Sequence, residues 1–387
     1  MSQAPNHPTI SANGVLRPTY VEVDLPRLSG NYRAIQAHVG DALVMPILKA
    51  NAYGHGLVEV AKHLGGIGID RIGVAYLEEG LLLRGAGIQV PILVLGGILG
   101  SQVPVFLQNE LSLTAASQEK LQQIDDAAAA MGVTPKVHLK IDTGMERVGV
   151  HYYSAEPFME AALKCRHLEV EGIFSHFASA DAADLTSANL QLERFLEVLK
   201  FYDDRGLPTP IRHIANSGAV LQLPASYLDM VRPGIVLYGV YPSAEVQQTI
   251  PVRPALSWKS RLVYFKVVQP GHPVGYGSTW QSDHQVRVVT VPVGYGDGYF
   301  RSMSGQAQAL LGGMRYPVVG MISMDQIMIN IEWDSAYNGD EVVLVGEMAG
   351  ERISVEDLAA WAGTIVDEIL TNINTRVPRV YLRDGDK

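Results

Sequence analysis

Between about residue 40 and residue 240 the chain repeats one pattern about eight times: a short apolar run, then a longer stretch with helical periodicity. The apolar runs fall at 43–48, 71–75, 91–95, 111–115, 136–141, 170–175, 211–214 and 230–231. In the stretch "SANLQLERFLEVLKFYDDRG", Leu192, Phe195, Leu196 and Leu199 recur at helical spacing, and Gly206 and Pro208 end it. Strand–helix units in series make a parallel sheet, and eight of them can close into a (β/α)8 barrel. An open doubly wound sheet is the competing arrangement, but no GxGxxG follows the first run.

Past "PVRPALSWKSRL" the rhythm changes. Apolar stretches punctuated by Gly and Pro follow one another: "SRLVYFKVV", "VRVVTVPVGY", "AQALL", "YPVVGMI", "IMINIE" and "EVVLVGE". One clear helix interrupts them, "SVEDLAAWAG", where Ser354 and Asp357 have capping-box spacing. The fold class is therefore α/β, a barrel followed by a mostly β domain. The expected division is a polar tail over 1–13, a barrel over 14–252 and a β-rich domain over 253–387.

Composition narrows the function. The formal net charge is −10 with no basic run to offset it, which argues against a nucleic-acid partner. The single cysteine, Cys165, excludes an internal disulfide framework and reads as inert packing. The start, "MSQAPNHPTISANG", lacks a signal-peptide layout, and no apolar run is long enough to span a bilayer, so a cytoplasmic protein is expected. No metal site is expected.

In such a barrel the chemistry sits at the C-terminal ends of the strands. The first run ends on Lys49, with Asn51, Gly54 and Gly56 breaking the chain and Tyr53 and His55 close behind. The fifth gives Lys140, Asp142 and Arg147, and the sixth gives His176. The seventh gives His213, then Asn216, Ser217 and Gly218; the eighth gives Arg232, Gly234 and Ile235. Taken singly each has an ordinary explanation. A lone lysine is usually solvated, His176 alone fits a satisfied core histidine, Arg232 a surface ion pair, and "ANSGA" a helix N-cap. Their convergence on one face is harder to assign to chance. The turns after strands seven and eight are the usual phosphate position, with Ser217 at a helix start. A phosphate cradle beside a strand-end lysine points to pyridoxal 5'-phosphate, whose aldehyde condenses with a lysine amine.

The motifs "KANAYGHG", "HLKIDTGMERVG", "SHFA", "ANSGA", "RPGI", "GYGSTW", "GYGDGY", "SMDQ" and "RVPR" occur in that order and resemble the alanine racemase family over nearly the whole chain. The resemblance implies a (β/α)8 barrel with a β domain, acting as a homodimer whose active sites are completed by the partner's C-terminal domain. It implies that Lys49 binds pyridoxal phosphate and is one catalytic base, and that Tyr276 is the other, supplied by the second subunit. Tyr53, Asn216, Ser217, Gly234 and Ile235 would bind the cofactor, most of them at its phosphate, and Arg232 would meet the pyridine nitrogen. His176 would pack near the ring and link Tyr276 to Arg232. Arg147, the Met324 backbone and Asp325 would line the substrate site. Lys140 matches a lysine that is often carbamylated, and Tyr295 an entryway tyrosine. One position departs from the pattern. Asp367 stands where many relatives carry a tyrosine that reaches the cofactor phosphate, so either Asp367 points elsewhere or the pocket differs.

Racemisation removes a proton from one face of a planar carbon and returns one to the other, so two flanking bases are expected. Lysine and tyrosine both titrate near 10 in water and need cations nearby to serve as bases at working pH. The leading function is a racemase for alanine. A broad-range or serine-preferring racemase, a related decarboxylase and a non-catalytic pyridoxal-phosphate-binding protein are the alternatives; "GYGSTW", "SMDQ" and the β domain favour the racemase.

Overall fold

A computed structural model describes residues 15–385. The polar tail assigned to 1–13 lies outside the described residues. The chain divides into two compact units, one of residues 27–253 and one that joins the residues up to Pro26 to those from Pro254 onward.

In the first unit the eight apolar runs all become parallel strands or bridges. They are Leu43–Val44, Ile72–Val74, Ile92–Val94, Leu113–Ala115, Lys136–Asp142, Glu169–Phe174, Ile211–His213 and Met230–Val231. Each pairs with the next. Ile47 bridges Gly73, Ile72–Val74 pairs with Ile92–Val94, and Leu93 bridges Ser112. Leu113–Ala115, Lys136–Asp142, Glu169–Phe174 and Ile211–His213 form one ladder. Arg232 N donates to Ala215 O at 2.9 Å, and Met230–Val231 pairs with Leu43–Val44. The ring is closed, and the open-sheet alternative falls.

Helices follow the strands. Thr186–Asp203 buries Ala188, Leu192, Phe195, Val198 and Leu199 against the barrel. Leu196, counted in the same periodic set, is instead exposed. It sits one residue beyond Phe195, about 100° round the helix and off the packed stripe. Cys165 follows the helix Ala155–Lys164 and donates weakly to Ala161 O; burial raises its thiol pKa, in keeping with inert packing.

The second unit is a long mixed sheet. Its strands run Tyr264–Val268, Val286–Val291, Ile327–Asn330, Met314–Val319, Gln308–Leu311, Glu341–Met348, Leu256–Arg261, Tyr20–Asp24 and Arg379–Leu382. The run "SRLVYFKVV" thus splits between two strands that are far apart in the sheet. Tyr20–Asp24 lies between two strands from the other end of the chain, antiparallel to Leu256–Arg261 and parallel to Arg379–Leu382. The helix Val355–Ala362 starts as expected: Ser354 Oγ accepts from Asp357 N at 3.1 Å, and Asp357 Oδ2 accepts from Ser354 N at 2.8 Å. A second short helix, Val366–Thr371, was not foreseen. Among the described residues no helix is long and apolar enough to cross a membrane, and no group of acidic, His or Cys side chains could hold a metal.

Candidate active site

Lys49 comes just after the bridge at Ile47 that extends the first barrel strand, and the backbone after it is unusual. Ala50, Asn51, Ala52 and Tyr53 all have φ between 50° and 56°, one turn of left-handed helix built without glycine. Each such residue costs roughly 1–2 kcal/mol, so the surroundings must hold it. Ala50 N donates to Glu79 Oε1 at 2.6 Å, and Ala52 N donates to Leu48 O at 2.8 Å. The Asn51 side chain accepts from Leu57 N at 2.9 Å, tying the turn to the helix Leu57–Gly66. The turn buries Tyr53, whose ring lies 5.0 Å from that of Tyr238, and sets Lys49 Nζ 6.0 Å from the Tyr53 ring centre.

The ends of the later strands bring cations to the same place. Lys140 is 5% exposed; burial first, then the charges of Arg232 and Arg147, lower its pKa to about 7. Asp142 organises the loop beyond it, accepting from the backbone of Gly144, Met145 and Arg147. Half-buried His176 titrates well below its ordinary value, through desolvation first and then the charges of Arg232, Lys140, Arg147 and Lys49. Basic groups from three strand ends therefore act on one imidazole, Arg232 in direct contact with it. The guanidinium of Arg232 is 3% exposed and, among the described residues, meets only neutral acceptors: His213 Nδ1 at 2.9 Å, Ser175 O at 2.7 Å, His176 Nδ1 at 3.2 Å and Ile214 O at 3.2 Å.

The turns after strands seven and eight form a tight cradle. Asn216 caps the helix Ser217–Gln222 through Ala219 N, and Ser217 Oγ accepts from Gly234 N at 2.9 Å and Val236 N at 3.4 Å. Gly234 leaves room for Tyr53: a Cβ there would collide with the Tyr53 hydroxyl and lie 3.0 Å from its Cζ. Ile235 opens the short turn Ile235–Tyr238. Hydroxyls, glycine backbone and a helix start, with Lys49 over Tyr53, fit an anion carrying a phosphate, and Lys49 fits its aldehyde.

The remaining candidates lie in the β-rich unit. Tyr276, in the turn Tyr276–Ser278, is 73% exposed, held between Gly275 and Gly277 at φ near 70–80°. Met324 is exposed, and its carbonyl accepts from Gly296 N at 2.9 Å. Asp325 is paired with Arg376 at 2.8 Å, and Arg376 is itself clamped by the fully buried Asp297 at 2.6 Å. Tyr295 N donates to Ser323 O at 3.0 Å, so "GYGDGY" packs on "SMDQ". Asp367 lies in the first turn of Val366–Thr371, where a carboxylate suits the helix dipole. Sequence reading passed over His138 and Glu171, although His138, Lys140 and Asp142 alternate along one strand and share a face.

The family description "Alanine racemase, N-terminal domain" matches residues 23–242, and "Alanine racemase, C-terminal domain" matches 255–381. The chain belongs to the alanine racemase family. It is 42% identical over 374 residues to alanine racemase 2 of Caldanaerobacter subterraneus subsp. tengcongensis, covering 96% of each chain. It is 42% identical to the alanine racemase of Carboxydothermus hydrogenoformans, over 95% of this chain and all of that one. Among solved structures, the alanine racemase from Streptomyces coelicolor A3(2) superimposes with a TM-score of 0.92 at 36% identity, covering 97% of this chain and 100% of that one. The fold expected from the sequence is thus the family's.

Proposed function

We propose that this family member is a cytoplasmic, pyridoxal-phosphate-dependent racemase that interconverts L- and D-alanine by a two-base mechanism. The observation that carries the reading is the convergence of Lys49, Lys140, Arg147 and Arg232 on His176 beside the Ser217–Gly234–Tyr53 cradle. Identity of 42% over nearly the whole chain to two alanine racemases supports it.

When bound, the cofactor supplies an aldehyde for an amine and a ring that withdraws electrons from the substrate's α-carbon. Tyr53, Ser217, Gly234 and Ile235 would hold its phosphate, and Asn216 would bind the cofactor from the cap of the helix Ser217–Gln222. Lys49 Nζ is the anchoring amine and moves the α-proton on one face. Tyr276 Oη, offered by a second copy of the chain in a homodimer, moves it on the other. Arg147, on the loop whose backbone Asp142 holds, and the Met324 backbone would clamp the substrate carboxylate, with Asp325 at the edge of that turn. Arg232 cannot accept a proton. Set against the ring nitrogen it would donate a hydrogen bond only, which would limit electron withdrawal and favour simple return of the proton. His176 passes the influence of Arg232 toward Tyr276, and Tyr295 lines the approach.

Cofactor-loaded protein should abolish the optical rotation of L-alanine, with slower action on serine, lysine and arginine. Turnover of serine or of a basic amino acid in preference to alanine would replace the alanine reading with one of its alternatives.

A further inference from the structure

Behind the site, inside the barrel, a chain of hydrogen bonds leads away from Arg232. Arg232 Nη1 lies 2.9 Å from His213 Nδ1, His213 Nε2 lies 2.8 Å from His138 Nδ1, and His138 Nε2 lies 2.9 Å from Glu171 Oε2. The ends fix its direction. Arginine only donates and a carboxylate only accepts. His213 therefore accepts at Nδ1 and carries its proton on Nε2. His138 likewise accepts at Nδ1 and donates from Nε2. Both imidazoles are fully buried and neutral; burial lowers the pKa of each, with Arg232 as the next cause at His213. Every donor in the series points from the guanidinium toward the carboxylate.

The surroundings are shaped to keep these rings in place. A Cβ at position 172 would overlap the His138 ring, so Gly172 makes the space it occupies. Phe174 stacks on His213 with centres 4.8 Å apart, and the two imidazoles meet edge to face at 5.0 Å. At the far end Glu171 is ionised. Burial alone would raise its pKa, but hydrogen bonds from His138 and Lys136 and the charge of Arg71 bring it down to about 2. Near Arg232 the other titratable groups are Lys140 and His176.

We propose that Glu171 is the remote counter-charge of Arg232 and a positioning residue for the reaction, acting through His138 and His213 to fix the guanidinium's orientation and offset part of its charge. The role assigned to Arg232 rests on the function proposed above. A buried arginine without a carboxylate in contact is costly, and a polarised chain of neutral rings carries the compensation across the barrel.

The test is nitrogen NMR of histidine-labelled protein, with and without cofactor, the signals assigned from His138→Asn and His213→Asn variants. Both rings should be neutral and protonated on Nε2. A proton on Nδ1 of either, or an imidazolium, overturns the relay, and this measurement needs no Glu171 variant to fold. Glu171→Gln keeps the shape and removes the charge. It should move both imidazole signals and the absorption band of the bound cofactor. It should also lower kcat about tenfold, the scale of a modest change in transition-state stabilisation, with KM for alanine within about twofold. Lys136→Gln removes a partner of Glu171 near the surface and should cost stability alone. If Glu171→Gln loses no more activity than Lys136→Gln, with imidazole signals and cofactor band unmoved, Glu171 is structural and the proposal fails. If the wild type does not racemise alanine, the functional reading fails, and the imidazole result still judges the relay.

Discussion

Gly234→Ala probes the cradle where its geometry is tightest. The added methyl meets the Tyr53 hydroxyl in overlap and the Tyr53 Cζ at 3.0 Å. Tyr53 has little room to withdraw, because it is 7% exposed and packed 5.0 Å from Tyr238, whose own hydroxyl is tied to Ile47 O at 2.9 Å. Overpacking of this kind costs about 1–3 kcal/mol, and where it is relieved by moving Tyr53 out of its binding position, regaining that position weakens cofactor binding by up to roughly 150-fold. Tyr53→Phe removes the oxygen that makes the worst contact while keeping the ring. The two changes should therefore be non-additive, with Gly234→Ala costing less in the Tyr53→Phe background by about 0.5 kcal/mol or more. The assay is titration of cofactor-free protein with pyridoxal phosphate for wild type, both single variants and the double variant. Additive losses would show that the methyl and the hydroxyl do not compete for one space. An unchanged dissociation constant for Gly234→Ala would remove this turn from the cofactor site.

Borohydride treatment of the yellow holoprotein should fix the cofactor on Lys49 and bleach it, and Lys49→Ala should abolish turnover; peptide mapping that finds the label on another lysine refutes the assignment. Lys140 has a folded pKa near 7 against 10.5 in the unfolded chain, so the unfolded state binds the extra proton between those values. In carbon-dioxide-free buffer the wild type should gain stability relative to Lys140→Met as pH rises from about 7 to 10.5, and a flat difference in denaturation midpoint across that window would contradict it. Inactive Lys49→Ala and inactive Tyr276→Phe chains should recover part of the activity when mixed, because a mixed dimer can hold one intact site; subunit exchange without recovery argues against a shared site.

The barrel was legible because each of its strands is a short apolar run bounded by turn residues, and the structure moves their ends by only a residue or a few. The strand-end rule then led directly to Lys49, His176, Ser217 and Arg232. The left-handed turn at Ala50–Tyr53 was not legible. Asn51, Gly54 and Gly56 signal a break, but alanine and tyrosine have no local preference for positive φ, and the conformation depends on Glu79, nearly thirty residues away. The relay was hidden for a related reason. His138 and Glu171 look like ordinary strand polar residues until the ladder sets Gly172 against His138. Pairings across the sheet of the β-rich unit were equally out of reach, since "YVEVD" alternates as a strand should but does not name its neighbours.

That last strand has a consequence for how the molecule is made. Thr19, just before it, bonds to Ser260, 241 residues later in the chain, and Arg17 to Arg376, 359 residues later. At the usual pace of the ribosome the first partner emerges on the order of ten to fifty seconds after Tyr20–Asp24 does. The residues of the barrel unit, 27–253, are all synthesised in that interval. Meanwhile Val21 and Val23, both fully buried in the finished protein, wait with their strand edges unpaired. A nascent chain arrested before Leu256 therefore carries an orphan apolar strand at its front, open to chaperones or to the same segment of a neighbouring chain.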